Sequence, residues 1–170
     1  NAAGVDGGAI AVDASSDTTD GTLTATNASS YFRCEGRGKF EGNQAAQRGG
    51  AVYVTRDSSV FWDGCSSTKN TASLGASVYA SHSEVELSGG AILEYDEGPT
   101  GAMVYGFRTH LEAINASFLA KDAPSLLAVQ MTSGSSMKAL ACSFKGFTGP
   151  YVVHTGGLLE MDLCDFRKRW

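Results

Sequence analysis

Ala51-Val52-Tyr53-Val54-Thr55, Ser77-Val78-Tyr79-Ala80-Ser81 and Met103-Val104-Tyr105-Gly106-Phe107 carry a Val-Tyr pair at one phase, each 26 residues after the last. Val129-Gln130 and Val153-His154 continue the series after 25 and 24 residues. A second apolar series, Val60, Val85, Leu111, Met137 and Leu159, trails the first by six to eight residues. A third, Ser67, Ile92, Phe118, Phe144 and Phe166, lies seven residues further on. Short polar segments separate the first two series: Thr55-Arg56-Asp57-Ser58-Ser59, Ser81-His82-Ser83, Arg108-Thr109-His110, Thr132-Ser133-Gly134-Ser135-Ser136 and Thr155-Gly156-Gly157. These read as turns. Around the second series the residues alternate, as in Val85-Glu86-Leu87 and Leu159-Glu160-Met161-Asp162-Leu163, which is the period of a strand buried on one face.

Self-similarity at a fixed period decides the fold before any local propensity does. No 11-residue window sustains a helical period, and β-branched residues and glycines run through the whole chain. Propeller blades need longer repeats, and the Leu-x-x-Leu-x-Leu ladder of leucine-rich repeats is absent. Three phased apolar positions in each unit of about 25 residues predict an all-β chain: a right-handed parallel β-helix, three-sided, of about six coils of 24–26 residues. The whole of 1–170 reads as a single domain. The distance from Gly8-Ala9 to Gly50-Ala51 is 42 residues, so the first unit carries an excess, assigned to a polar extension at 17–30.

With 170 residues, 42% of them apolar, the chain is long enough for a buried core and too apolar for disorder. A net charge of −5 argues against electrostatic binding of nucleic acid, and no stretch approaches the ~20 apolar residues of a membrane-spanning helix. The chain opens on Asn1-Ala2-Ala3-Gly4 without an initiator Met and stops four residues after Phe166. Solenoids need polar caps at their ends, and no capping helix is visible here. The expectation is a segment of a longer stack.

Residues 40–54 read Phe40-Glu-Gly-Asn43-Gln-Ala-Ala-Gln-Arg-Gly49-Gly50-Ala51-Val52-Tyr53-Val54. Phe-x-x-Asn followed by Gly-Gly-Ala-(Ile/Leu/Val) resembles the repeat of the chlamydial polymorphic outer-membrane proteins and of related secreted surface proteins. Gly7-Gly8-Ala9-Ile10 and Gly89-Gly90-Ala91-Ile92 match its second half, the latter out of phase. Beyond residue 106 neither motif recurs and only the period persists. The resemblance implies a right-handed parallel β-helix on a secreted or surface protein, with roles in adhesion or surface structure and no catalytic residues. Apart from the resemblance, Gly49 and Gly50 suit a tight turn and a close backbone approach, and Asn43 suits hydrogen bonding to turn backbone. Phe40, Phe118, Phe144 and Phe166 are assigned to the core.

Cys65, Cys142 and Cys164 each follow a second-series residue by five positions, and Cys34 precedes Cys65 by 31. Stacked positions about 4.8 Å apart lie within disulfide range. Of three possible connectivities, Cys34–Cys65 and Cys142–Cys164 are expected, with four buried thiols as the alternative. No Cys-x-x-Cys or neighbouring His pair suggests a metal. Asn27-Ala28-Ser29 and Asn115-Ala116-Ser117 are N-glycosylation sequons. Paired cysteines and sequons together point outside the cytosol.

Parallel β-helices also include polysaccharide lyases, hydrolases and epimerases, which gather acids and bases on one outer face. Asp96-Glu97 is a carboxylate pair, read as a solvated turn before Gly98-Pro99. His82, His110 and His154 fall in or near the first turn, with Arg56 and Arg108 on the same edge, a weak candidate for a polar binding strip. Thr22-x-Thr24-x-Thr26 occurs once, too little for a water-ordering array. Arg167-Lys168-Arg169-Trp170 is a basic end to an acidic body. No Ser/His/Asp or Cys/His signature is present. The reading is a non-catalytic structural or adhesive module, extracellular or on a cell surface. Its partners are flanking coils or identical subunits end to end, and surface glycans; no cofactor is expected. The alternative is a carbohydrate-binding or carbohydrate-active β-helix.

Overall fold

A computed structural model describes residues 2–4, 6–13, 30–95, 102–120 and 127–167. Every regular element among them is a strand, and no helix is long and apolar enough to cross a membrane. Three six-stranded parallel sheets form the sides of a prism. Face one stacks Ile10–Asp13, Val52–Thr55, Val78–Ser81, Ala102–Phe107, Leu127–Thr132 and Val152–His154. Face two stacks Tyr31–Glu35, Ser59–Asp63, Glu84–Ser88, His110–Ile114, Ser136–Leu140 and Leu159–Asp162. Face three stacks Lys39–Glu41, Ser66–Thr68, Ile92–Tyr95, Ser117–Ala120, Ser143–Lys145 and Asp165–Arg167. The chain is a three-sided parallel β-solenoid. Six strands on each face leave five intervals, so the winding amounts to about five turns rather than the six coils expected.

The pairing follows the sequence period. Val52 pairs with Val78 and Val78 with Val104, and Val60, Val85, Leu111, Met137 and Leu159 lie side by side. Two positions differ by one residue from the expected series. Val152, not Val153, continues from Val129, and Leu93, not Ile92, lies between Ser67 and Phe118. Strand parity explains both, because a one-residue slip exchanges the inner and outer faces: Leu93 is fully buried, whereas Ile92 is 41% exposed. Ile10 pairs with Val52, which confirms the 42-residue first unit. Its excess falls between Asp13 and Tyr31; the residues assigned to a polar extension there, the Thr22 row and Asn27 among them, lie outside the described residues, except Ser30.

Stacking like on like fills the core. Phe118, Phe144 and Phe166 stack with centroids 4.8 and 5.0 Å apart and rings within 7° of parallel. Phe40 stacks on the buried Trp62 at 5.0 Å and meets Phe32 edge-on at 6.0 Å. Gly50 shows why the paired glycines are needed. A Cβ there would collide with the carbonyl oxygen of Ala76 and stand 2.8 Å from the Thr71 nitrogen, both backbone of the next rung. Gly49 takes φ +64°, in the left-handed region that glycine enters without penalty. Ala51 follows, fully buried. The out-of-phase copy at 89–92 serves a different corner, between faces two and three.

Cys34 and Cys65 form a disulfide with Cα atoms 6.2 Å apart. Cys34 pairs in register with Trp62, so the bridge runs diagonally to the corner residue three positions on. Cys142 and Cys164 are free thiols, which corrects the second expected bridge. Their neighbours pair Leu140 with Asp162 and Ser143 with Asp165, so the two cysteines are equivalent in successive rungs. Equivalence is the obstacle. A parallel ladder separates like Cβ atoms by the rung spacing of about 4.8 Å, beyond the roughly 3.5–4.5 Å a disulfide requires. Each sulfur turns to carbonyls instead: Cys142 Sγ to Ala113 and Leu140 at 3.3 and 3.5 Å, Cys164 Sγ to Asp162 and Ala139 at 3.3 and 3.7 Å. Burial pushes the Cys142 thiol up. Alkylation without reductant should therefore add two groups, at Cys164 before Cys142, because the thiolate is the reacting form. Removing the 31-residue-separated bridge by Cys34→Ser with Cys65→Ser should cost about 3–4 kcal/mol in denaturant unfolding.

Candidate functional site

The corner from face one to face two is built from a recurring hydroxyl. Ser58, Ser83, Thr109 and Ser135 occupy equivalent positions, and Ser58, Thr109 and Ser135 are buried. Their hydroxyls donate to carbonyls two or three residues earlier: Ser83 to Ser81 at 2.8 Å, Thr109 to Phe107 at 3.1 Å and Ser135 to Thr132 at 2.6 Å. The Ser135 hydroxyl also accepts from the Thr109 amide at 3.1 Å. Such local bonds hold a turn that the sheet ladder cannot satisfy. The signal in the sequence is Ser or Thr at intervals of 25, 26 and 26, indistinct because Ser and Thr are common in any turn.

Just before this ladder the backbone turns left-handed. Arg56, Asp57, His82, Arg108 and Ser133 have φ between +49° and +58°. Register aligns Arg56, His82 and Arg108 in successive rungs. His110 instead pairs with Glu84, which pairs in turn with Ser59, a row two positions later, so the two histidines are not in one row. Both nevertheless line one open groove of about 440 Å³, together with Asp57, Ser59, Glu84 and Arg108. His82 Nδ1 lies 3.1 Å from Ser81 Oγ and its Nε2 lies 3.5 Å from Arg108 Nη1. Nδ1 protonated and Nε2 accepting from the guanidinium satisfies both contacts. His110 Nδ1 is held 2.7 Å from Ser136 Oγ. Asp57, Glu84 and Arg108 make no ion pair with any described residue, although they share the groove. His154 is elsewhere, its Nε2 2.9 Å from the Ser135 carbonyl.

The groove is continuous with an aromatic row on the outer side of face one. Tyr53, Tyr79 and Tyr105 stack at 5.5 Å, with rings within 6° of parallel, and Arg48 lies over Tyr79 at 5.5 Å. Burial pushes the Tyr79 phenol up, against the opposing Arg48 charge. Two residues beyond Tyr105, Phe107 carries Arg108 over its ring at 5.5 Å and meets His82 at the same distance. Phe107 thus joins the tyrosine row to the charged groove.

The other singled-out residues are structural or dispersed. Asn43 and Asn70 are buried partners: the Asn43 backbone N–H and Nδ2 both donate to Asn70 Oδ1 at 2.8 Å. Asn70 Nδ2 donates to the Phe40 carbonyl at 2.9 Å and to Ser67 Oγ at 2.8 Å. Asn115 is exposed at a left-handed corner that asparagine tolerates. Arg167 pairs with Asp165 at 2.8 Å, while Asp96, Glu97 and residues 168–170 lie outside the described residues. Among the described residues no three His, Cys, Asp or Glu side chains gather as a metal site.

No family model, curated protein or solved structure matches this chain.

Proposed function

We propose that this chain is a stiff structural or adhesive module of a secreted or surface protein, extended by stacking further rungs on its ends. The supporting observation is the last rung. Leu159 and Phe166 stand at positions that are fully buried in the interior, as Leu111 and Phe118 are, yet they are 41% and 44% exposed. Open parallel edges carry unpaired N–H and C=O groups that template another strand, and flanking coils or an identical subunit present the matching pattern. The disulfide supports an oxidising compartment. The Phe40–Asn43 and Gly49-Gly50-Ala51 motif, similar to that of the chlamydial surface proteins, fits the same reading, as does an exposed Asn115 sequon.

Sedimentation of the 170-residue chain tests it. Concentration-dependent, end-to-end association, suppressed by Leu159→Glu with Phe166→Glu, is the expected result. A monomer at every concentration counts against it.

A further inference from the structure

We infer that the groove of His82, Arg108 and His110, with the tyrosine row beside it, is a binding site for a neutral, hydroxyl-rich saccharide chain lying along the solenoid axis. This inference does not rest on end-to-end stacking. It begins with the contrast among rungs at one corner. The left-handed backbone there favours glycine, and the two later rungs carry Ser133-Gly134 and Gly156-Gly157 in this conformation. The earlier rungs place Arg56, Asp57, His82 and Arg108 in the same conformation. A non-glycine residue in that region costs roughly 1 kcal/mol or more, and this solenoid accepts that at other corners too, at Ala141 and Leu163. What sets this corner apart is that Asp57, His82 and Arg108 line one groove.

The groups are those that read a sugar. Among the described residues Asp57 and Glu84 are acceptors without a cation, Arg108 is a donor without a carboxylate, and His110 is held through Nδ1 to Ser136. Vicinal hydroxyls satisfy such acceptors and donors together, while a saccharide ring's apolar face needs an apolar wall. Phe107 and Tyr105, both partly exposed beside the groove, supply one. The groove draws residues from three successive rungs, Asp57 and Ser59, His82 and Glu84, and Arg108 and His110, so a chain lying in it runs along the axis. Charge selects the neutral class. The groove's two carboxylates outnumber its one guanidinium, and with a net charge of −5 on the chain they repel a polyanion.

The test is calorimetric titration of the intact chain with cello-, manno-, laminari- and chito-hexaose, and with oligogalacturonate and a sulfated oligosaccharide as anionic probes. Binding of at least one neutral hexaose and of neither anion is expected. Arg108→Gly and His82→Gly should each weaken that binding at least tenfold. Both should leave the melting temperature equal or higher, because glycine relieves the left-handed backbone. Glu160→Ala, on face two away from the groove, should bind normally. No binding of any neutral hexaose, binding of the anions instead, or full affinity in both glycine variants overturns the inference.

Discussion

Asn70→Ala is expected to lose upward of about 4 kcal/mol of unfolding free energy. The side chain is 1% exposed and makes four hydrogen bonds, two accepted from Asn43 and two donated to Phe40 and Ser67. Alanine leaves these partners facing a space with no acceptor and no donor. Each buried group so stranded costs about 1–3 kcal/mol, more than the bond's net contribution when formed. Asparagine is needed because one end must accept from Asn43 in the rung before while the other donates both to that rung, at Phe40, and across its own corner, at Ser67. Urea unfolding measures the loss. A change of less than about 1 kcal/mol, the net value of one ordinary hydrogen bond, would mean that the Asn43–Asn70 ladder does not hold this corner.

Phe144→Ala is expected to be nearly as damaging, for an apolar reason. Phe144 is fully buried, stacked between Phe118 and Phe166 and in edge contact with Tyr151 at 6.4 Å. Truncation removes the transfer energy of the ring and leaves a gap that a prism of paired strands cannot close, about 3–5 kcal/mol in total. For a domain of this size that corresponds to a fall in Tm of at least about 6 °C. Phe166→Ala, at the same phase but 44% exposed, should cost much less. Equal losses at the two positions would show that Phe166 is buried in solution by a further rung, which sedimentation would reveal independently.

The fold was legible because three apolar series share one period, and the second series proved correct at every position. The errors fell where two apolar residues adjoin, at Ile92-Leu93 and Val152-Val153. There hydrophobicity does not distinguish the side facing the core from the side facing solvent, and only the pairing of the neighbouring strand sets the parity. Buried polar ladders were harder to read. Asn43 was recognised as a turn partner, but Asn70, which carries the bonds, and the Ser58-to-Ser135 hydroxyl row looked like ordinary turn residues. The cysteines show the opposite failure. Equal phase suggested a bridge for Cys142 and Cys164, yet equal phase in a parallel ladder keeps like side chains alongside each other rather than converging. Of the groove, the sequence offered histidines and arginines on one edge. Their convergence with Asp57, Glu84 and the tyrosine row required the register, which places His110 two positions away from the row of His82.

The central claim is that residues 26 apart lie side by side in parallel register. Interstrand nuclear Overhauser contacts measured on an isotope-labelled chain test it most directly. The account predicts backbone amide-to-α-proton contacts linking the strands of Val52, Val78 and Val104, each residue meeting those adjacent to its counterpart 26 positions on. Contacts between Val52–Thr55 and Ser59–Asp63 running in opposite directions, as in a hairpin, would contradict it.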